Sequence, residues 1–287
     1  ILFHVGLAYH LTKEEKYAEA LICNLSEWKR YCPIDDTDVP YNGMEAAIKI
    51  INLSWIDLFL TKYKGYTVDT QKQLSKIIFL LAEYIYKNYE ISYYGLESNH
   101  SISCNVGLIY AGVFLQENKR SKKWYNFGMK NLKRNLKTQF TPDGVNFESS
   151  VHYHRYVFEI LVFIHEILKN NKKDPGKYLS KRITDIGLAL KKLTHVNDNI
   201  SRFGDNDGGK FLFDFGTSEE FNNLNYLCLF CIIQMCSTTC LNINTLNINN
   251  SQHFSRSNTT LVDLYTKQLL CFGPRIKFLL NLNPLLH

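Results

Sequence analysis

The sequence lacks both the cysteine pattern of a disulfide framework and an apolar run long enough to cross a membrane. Its eight cysteines are scattered over 287 residues, and their spacings match no disulfide-stapled fold. No apolar stretch reaches the roughly 18–20 residues that a membrane-spanning helix needs. The length is sufficient for one large domain or two small ones with a hydrophobic core.

Metal-binding patterns are also lacking. Cys228 and Cys231 form a C-x-x-C, but it lies in the apolar run Leu224–Met235 with no histidine nearby. Two buried helical thiols are therefore favoured over a zinc site. The acidic stretch 201–209 lacks the ligand ladder of an EF-hand, which argues against calcium. We predict no metal and no other cofactor.

A strong charge of one sign is lacking as well. Lysine and arginine number 33 against 27 aspartates and glutamates, a net charge of +6. This excess suits an anionic partner but is too small and too dispersed to argue for nucleic acid. Basic residues cluster at 119–137, where a solvated helix face and a binding patch both fit the pattern. Aromatic residues make up 14%, which fits helix–helix packing better than sugar stacking.

Alternation typical of strands is absent until 269–280, and apolar residues instead recur at helical spacing. The sequence therefore predicts an all-α fold with little β structure in the C-terminal tail. Short connections such as 142–144 and 175–176 indicate antiparallel helical hairpins. No repeat of fixed period is found, which disfavours a regular solenoid over a bundle or an α/α toroid. The predicted helices are 3–23 (with a start near its middle), 43–62, 69–88, 100–117, 121–138, 149–169, 178–195 and 223–236.

The first polar motif is GLESNHS at 95–101, directly before an apolar helix. Ser98 or Asn99 could act as the helix N-cap, with the histidine incidental. Alternatively, Asn99 and His100 lie at the positive end of the helix, where donors can bind a carboxylate and stabilise added negative charge.

The second polar motif is PDGVNFESSVHYHRY at 142–156, a tight turn that leads into a helix. Two histidines, two tyrosines and one arginine fall within its last five residues. Tyr153 and Tyr156 are three residues apart and so share a helix face. Such a density of hydrogen-bonding groups favours a functional site over simple packing.

The third polar motif is SRFGDNDGG at 201–209, whose composition indicates a loop. Asp205 and Asp207 could orient a base or bind a cation. An ordinary Asx-turn loop is the alternative.

In this order, the motifs resemble those of the heparinase II/III-like polysaccharide lyases, including the related alginate lyases. SNHSISCNVGLIYAG is similar to that family's asparagine–histidine helix start, TPDGVNFESSVHYHRYVFEIL to its acidic, tyrosine-rich stretch, and RFGDNDGGKF to its glycine–aspartate loop. Upstream, YNGMEAAIKIINLSWI resembles the preceding helix, where the family often has arginine at the place of Lys49. The likeness runs from about residue 5 to 236.

The resemblance implies an incomplete α/α toroid over 1–240, with 241–287 as the truncated start of a second, β-sandwich domain. It implies β-elimination at a uronic acid within an anionic polysaccharide, the predicted partner. The family's location implies a periplasmic or secreted protein, although unpaired cysteines would also suit the cytoplasm.

By the same resemblance, Asn99, helped by His100, neutralises the uronate carboxylate. Tyr156 is the expected general acid and a candidate for the base, with Tyr153 the close alternative. We expect these residues and the 205–207 loop to converge on one concave face. The predicted substrate-binding residues are Glu148, His154, Arg155, Arg202, Asp205 and Asp207.

Two other functions remain open at this point. The family's further catalytic histidine usually comes from the β-sandwich, so the chain could be a non-catalytic module that binds anionic glycans or protein partners. It could also be a toroidal glycoside hydrolase, in which Glu148 and either Asp205 or Asp207 face each other across a cleft.

Overall fold

Helices account for the regular structure of the chain. The computed structural model describes residues 2–31, 42–90, 97–116, 118–193, 201 and 203–206. No strand occurs in these ranges, which contain one isolated antiparallel bridge between Phe140 and Asn146. The predicted all-α class is confirmed for these residues. Their helices are α1 (Leu2–Thr12), α2 (Glu15–Tyr31), α3 (Gly43–Leu60), α4 (Val68–Lys87), α5 (Asn99–Phe114), α6 (Ser121–Thr138), α7 (Val151–Asn170) and α8 (Lys177–Lys192).

The helix boundaries differ from the prediction mainly at the N-terminal end. The region predicted as 3–23 is two helices, α1 and α2, which meet at Lys13, a residue with φ of 63°. The predicted start near the middle of this region is confirmed, but α2 continues to Tyr31. The predicted helix at 223–236, the possible strand at 269–280 and the proposed boundary at 240 lie outside the described residues.

The described helices divide into two compact units, with the division in α6 between Asn135 and Leu136. In the first unit, α3 packs against α1, α4 and α5. A β-carbon added at Gly107 of α5 would lie 2.6 Å from the β-carbon of Ala47 on α3, so these two helices approach closely. Burial of each large aliphatic side chain in this core contributes about 1.5–3 kcal/mol. The fully buried apolar residues of α3 include Ala46, Ala47, Ile50, Ile56 and Leu60.

The second unit contains the α7–α8 hairpin and the loop that precedes it. Ser150 is the N-cap of α7, and its hydroxyl accepts a hydrogen bond from the backbone N–H of Tyr153 at 3.2 Å. Arg182 of α8 donates to the carbonyl oxygens of Thr141 at 2.8 Å and Pro142 at 3.1 Å. The loop before α7 is therefore fixed to α8. Among the described helices, none combines the length and the apolar character needed to cross a bilayer.

Gly144 fixes the turn in this loop, and its replacement should be costly. It has φ of 95°, and an added β-carbon would lie 2.4 Å from the carbonyl oxygen of Asp185. Gly176 has a similar φ of 82° but no atom within 4 Å of the same position. We expect Gly144→Ala to lower the free energy of unfolding by about 3 kcal/mol, since a backbone clash adds to the strain of positive φ.

The matched control is Gly176→Ala, which retains only the conformational strain of roughly 1–2 kcal/mol. Chemical denaturation of both variants gives the comparison. Equal losses of stability would show that the close approach to Asp185 contributes nothing.

Candidate functional site

The start of α5 carries the first polar motif. Asn99 and His100 are the first two helical residues, and Ser98 is the N-cap. The Ser98 hydroxyl accepts a hydrogen bond from the backbone N–H of His100 at 3.3 Å. The cap is therefore Ser98, and Asn99 lies at the positive end of the helix dipole, where an anion is stabilised. Asn99 is 6% exposed, so its amide is largely shielded from water.

His100 is held by a carboxylate from outside the motif. Its Nδ1 lies 2.7 Å from Oε1 of Glu90, and its side chain is 38% exposed. The second oxygen of Glu90 accepts the backbone N–H of Met44, near the start of α3, at 3.3 Å. When Nδ1 of His100 donates to this carboxylate, Nε2 is the nitrogen left to meet a ligand.

The residues just before α5 rest on a partly buried polar network centred on Glu97. Its carboxylate accepts hydrogen bonds from Arg134, from Asn135 at 2.7 Å and from the Tyr89 hydroxyl at 3.4 Å. The Asn105 amide donates to Tyr89 at 2.9 Å and to Asn135 at 2.5 Å. Burial and the Glu97 charge raise the pKa of Tyr89 above its usual range, so its hydroxyl stays neutral. This network holds the chain that leads into Asn99.

The two candidate tyrosines at the start of α7 differ in exposure. Tyr153 is half-buried, whereas Tyr156 is only 5% exposed and lies on the core side of the helix. A general acid must reach the oxygen that it protonates. The exposures therefore favour Tyr153 over Tyr156, the reverse of the preference expected from the sequence.

The third motif lies against the start of α7. The carbonyl oxygen of Phe203 accepts the backbone N–H of Val151 at 3.0 Å, and the Ser150 hydroxyl donates to the carbonyl oxygen of Asp205 at 2.6 Å. A β-carbon added at Gly204 would lie 2.3 Å from the carbonyl oxygen of Ser149, so only glycine fits there. The second and third motifs thus meet, as expected from the sequence.

The other residues of these two motifs are placed only in part. Asp205 is exposed and Glu148 is half-buried, both beside the start of α7. Arg202 and Asp207 lie outside the described residues. Asn99 belongs to the first compact unit and the tyrosines to the second, and their convergence on one face stays a prediction.

The structure places His154 and Arg155, both predicted to bind substrate, in the interior, and that role stays a prediction. His154 is 1% exposed. Its Nδ1 accepts the backbone N–H of Asn146 at 3.3 Å, and its Nε2 donates to the carbonyl oxygen of Ile186 at 2.9 Å. Arg155 is 4% exposed and pairs with the equally buried Glu159, with 3.7 Å between Nε and Oε1. Both residues support the core of the second unit.

Buried His154 should make stability depend on pH. Desolvation lowers its pKa, and the bond to Ile186 opposes this only in part. In the unfolded chain a histidine titrates at about 6.5. Between about pH 6.5 and the lower pKa of the folded protein, the unfolded chain binds more protons than the folded chain. The free energy of unfolding therefore falls as the pH decreases below about 6.5, by up to ~1.4 kcal/mol per pH unit.

The measurement is the thermal unfolding midpoint of the wild type and of His154→Gln between about pH 5 and pH 8. The wild type should lose more stability than the variant on acidification, since the glutamine does not titrate. Parallel profiles for the two proteins would contradict this interpretation of His154.

Sequence reasoning missed Glu90 and did not single out Glu97. Glu97 lies inside the first motif, two residues before Asn99, so its position was a usable signal. Glu90 carries no such signal, because its contact with Met44 spans 46 residues of sequence. Among the described residues, no group of three or more histidine, cysteine, aspartate and glutamate side chains could hold a metal ion.

The sequence model of the heparinase II/III N-terminus family matches residues 2–207. The chain belongs to this family. The match covers all three polar motifs except the last residues of the third, and it includes the helix starts that carry Asn99 and Tyr153.

Two curated heparin-sulfate lyases are similar to the chain. The protein from Pedobacter heparinus is 24% identical over 208 residues, which cover 70% of this chain and 31% of that protein. The protein from Bacteroides stercoris is 24% identical over 165 residues, which cover 52% of this chain and 25% of that protein. The chain thus spans about a third or less of the length of these relatives.

Solved structures of heparinase III share the fold. One matches with a TM-score of 0.59 at 20% identity and covers 83% of this chain and 40% of that one. The heparan sulfate lyase of Pedobacter heparinus matches with a TM-score of 0.55 at 21% identity, over 69% of this chain and 31% of that one. The N-terminal part of heparinase III is an α toroid, so the predicted toroid-type fold is confirmed.

Proposed function

We propose that this chain belongs to a polysaccharide lyase that cleaves a uronic-acid-containing polysaccharide by β-elimination. The observation that carries the proposal is the start of α5, where Asn99 and His100 occupy the positive end of a helix. In a member of the heparinase II/III family, this arrangement suits the binding of a uronate carboxylate.

The reaction sets three chemical requirements. The C5 carboxylate must be neutralised so that the C5 proton becomes acidic, a base must remove that proton, and an acid must protonate the leaving O4. The C5–H and C4–O4 bonds break, and a C4–C5 double bond forms at the new chain end. No water enters the product.

Asn99 is proposed to donate from its side-chain amide to the uronate carboxylate. Charge accumulates on that carboxylate as C5 loses its proton, so a fixed donor stabilises the transition state more than the ground state. Asn99 is about as buried as Tyr156, so this role requires the carboxylate to reach the amide at the first residue of α5, whereas Tyr156 lies more than one turn into α7. His100, oriented by Glu90 through Nδ1, adds a second donor through Nε2 when its ring carries both protons.

Tyr153 is proposed as the acid that protonates O4. Its backbone N–H is bound by the N-cap Ser150, and Ser150 is itself bound to Asp205, so the helix start that carries the phenol is well fixed. The same hydroxyl can also serve as base where the C5 proton and O4 lie on one side of the sugar ring. Glu148 and Asp205, at the same helix start, are proposed to bind sugar hydroxyl groups.

Heparan sulfate is the proposed substrate, since two similar proteins are named heparin-sulfate lyases and the net charge of +6 suits a polyanion. The test is ultraviolet absorbance from unsaturated uronate ends with heparan sulfate, alginate, chondroitin and hyaluronan as separate substrates. Absorbance should rise fastest with heparan sulfate. A rise with alginate alone would reject this substrate and retain the elimination.

A further inference from the structure

Helix α6 has an outward face that is cationic along its length. No acidic residue occurs in its sequence, SKKWYNFGMKNLKRNLKT. Lys122, Lys123, Lys130 and Lys133 are all exposed. At about 100° per residue these four lysines fall within an arc of about 100°, and they extend over about 17 Å of helix. We refer to these four residues as the lysine stripe.

The opposite side of α6 is fixed in the core, so the lysine stripe points away from the fold. Trp124 is fully buried and Leu132 is 1% exposed. A β-carbon added at Gly128 would lie 2.7 Å from the carbonyl oxygen of Asn105, which shows that α6 lies directly against α5. The helix therefore cannot turn its apolar side towards a membrane or another partner.

Acidic neighbours of α6 are paired with arginines. Glu83 accepts two hydrogen bonds of 2.7 Å from Arg120, and Glu97 pairs with Arg134. Within the described ranges, Lys122, Lys123 and Lys130 take part in no ion pair. In the part of the chain that the structure describes, these three positive charges therefore have no carboxylate paired with them.

We propose that the lysine stripe is a binding surface for a linear anionic polysaccharide, in addition to the helix start that carries Asn99. Repeated lysines along one helix face match a polymer that presents carboxylate or sulfate groups at regular intervals. The identity of the polymer rests on the proposed function. The surface would hold the chain near the protein and raise its local concentration.

Other polyanions fit the surface less well. Proteins that bind single-stranded nucleic acid combine basic residues with exposed aromatic rings on which bases stack, and the exposed arc of α6 holds lysines and Asn126 without an aromatic residue. An amphipathic helix that binds a membrane buries its apolar side in the bilayer. That side of α6 is occupied by Trp124 and Leu132 packing in the core.

The test is fluorescence polarisation of end-labelled heparan sulfate at low salt, with the whole chain carrying Tyr153→Phe in every variant so that the probe is not cleaved. The triple variant Lys122→Gln, Lys123→Gln and Lys130→Gln should bind on the order of tenfold more weakly, and the difference should shrink as salt screens the charges. The matched control is Lys62→Gln, Lys64→Gln and Lys72→Gln, which removes the same charge from exposed lysines elsewhere in the first unit. Its affinity should change by about twofold or less.

Two further measurements make the outcome decisive. Replacing the same three stripe lysines with arginine keeps the charge and should preserve the affinity. Circular dichroism checks that each variant is folded. If a triple variant does not fold, the three corresponding single variants are measured in its place. If both triple glutamine variants weakened heparan sulfate binding equally, the proposed role of the lysine stripe would be rejected. Tighter binding of a single-stranded DNA of equal charge would reject it as well.

Failure of this inference is distinguishable from failure of the proposed function. If the wild type forms unsaturated ends but the stripe variant binds as tightly as the wild type, the binding surface is rejected and the lyase function is retained. If the wild type shows no elimination activity but the stripe variant still binds more weakly, the lyase function is rejected and the binding surface is supported.

Discussion

Replacing Asn99 with alanine should lower the turnover of β-elimination by about 10²–10³, measured on the protein as its gene encodes it. The amide is proposed to donate to the uronate carboxylate as negative charge builds on it. Loss of one preorganised donor of this kind removes stabilisation that is larger in the transition state than in the ground state. The Michaelis constant should change far less than the turnover number.

The matched control is Asn24→Ala. Asn24 is an exposed residue of α2 whose amide bonds only within its own helix, to the carbonyl oxygen of Ala20 at 2.6 Å. Its replacement should leave turnover unchanged. Full activity in Asn99→Ala would reject the assigned role, and a large loss of thermal stability in that variant would show that the buried amide supports the fold instead.

Replacing Tyr153 with phenylalanine should lower turnover by about 10²–10⁴, the usual contribution of a general acid or base. Phenylalanine keeps the ring and removes only the hydroxyl, so packing at the start of α7 is preserved. The unsaturated product is again measured by its ultraviolet absorbance under substrate saturation.

Tyr156→Phe is the comparison that decides between the two tyrosines. Tyr156 is 5% exposed, so loss of its hydroxyl should reduce the free energy of unfolding by about 1 kcal/mol and leave turnover nearly intact. The reverse result, in which Tyr156→Phe silences the reaction and Tyr153→Phe does not, would restore Tyr156 as the acid.

Local sequence signals predicted the helices and their starts well. Helical periodicity located α3 through α8, and the turn around Gly144 was recognisable from its residue types. Local signals did not decide between Ser98 and Asn99 as the cap of α5, because both residue types cap helices well. The structure assigns the cap to Ser98, which leaves Asn99 within the helix.

The burial of His154 and Arg155 has a clear physical cause. The density of polar residues at 152–156 favoured a functional site, but these two residues lie at helical spacing with the apolar residues of the core. Val151, Val157 and Phe158 are all at most 3% exposed. A buried polar side chain needs a hydrogen-bond or ion-pair partner, and both partners here, the Ile186 carbonyl for His154 and the Glu159 carboxylate for Arg155, come from positions that the motif does not contain.

Glu90 illustrates what the sequence could not provide. Its carboxylate contacts the backbone of Met44 and the ring of His100, and only the tertiary packing of α3 and α5 brings these groups together. Hydrogen bonds between distant segments leave no periodic pattern in the sequence. The orientation of His100 was therefore not predictable, although its position at a helix start was.

The most direct test of the central claim is digestion of heparan sulfate in water enriched in heavy oxygen, followed by mass spectrometry of the products. β-Elimination predicts unsaturated products. Each has the mass of the corresponding hydrolysis product minus one water, and bond cleavage adds no heavy oxygen to it. Hydrolysis would instead give saturated products that carry the heavy oxygen, and this result would contradict the lyase assignment.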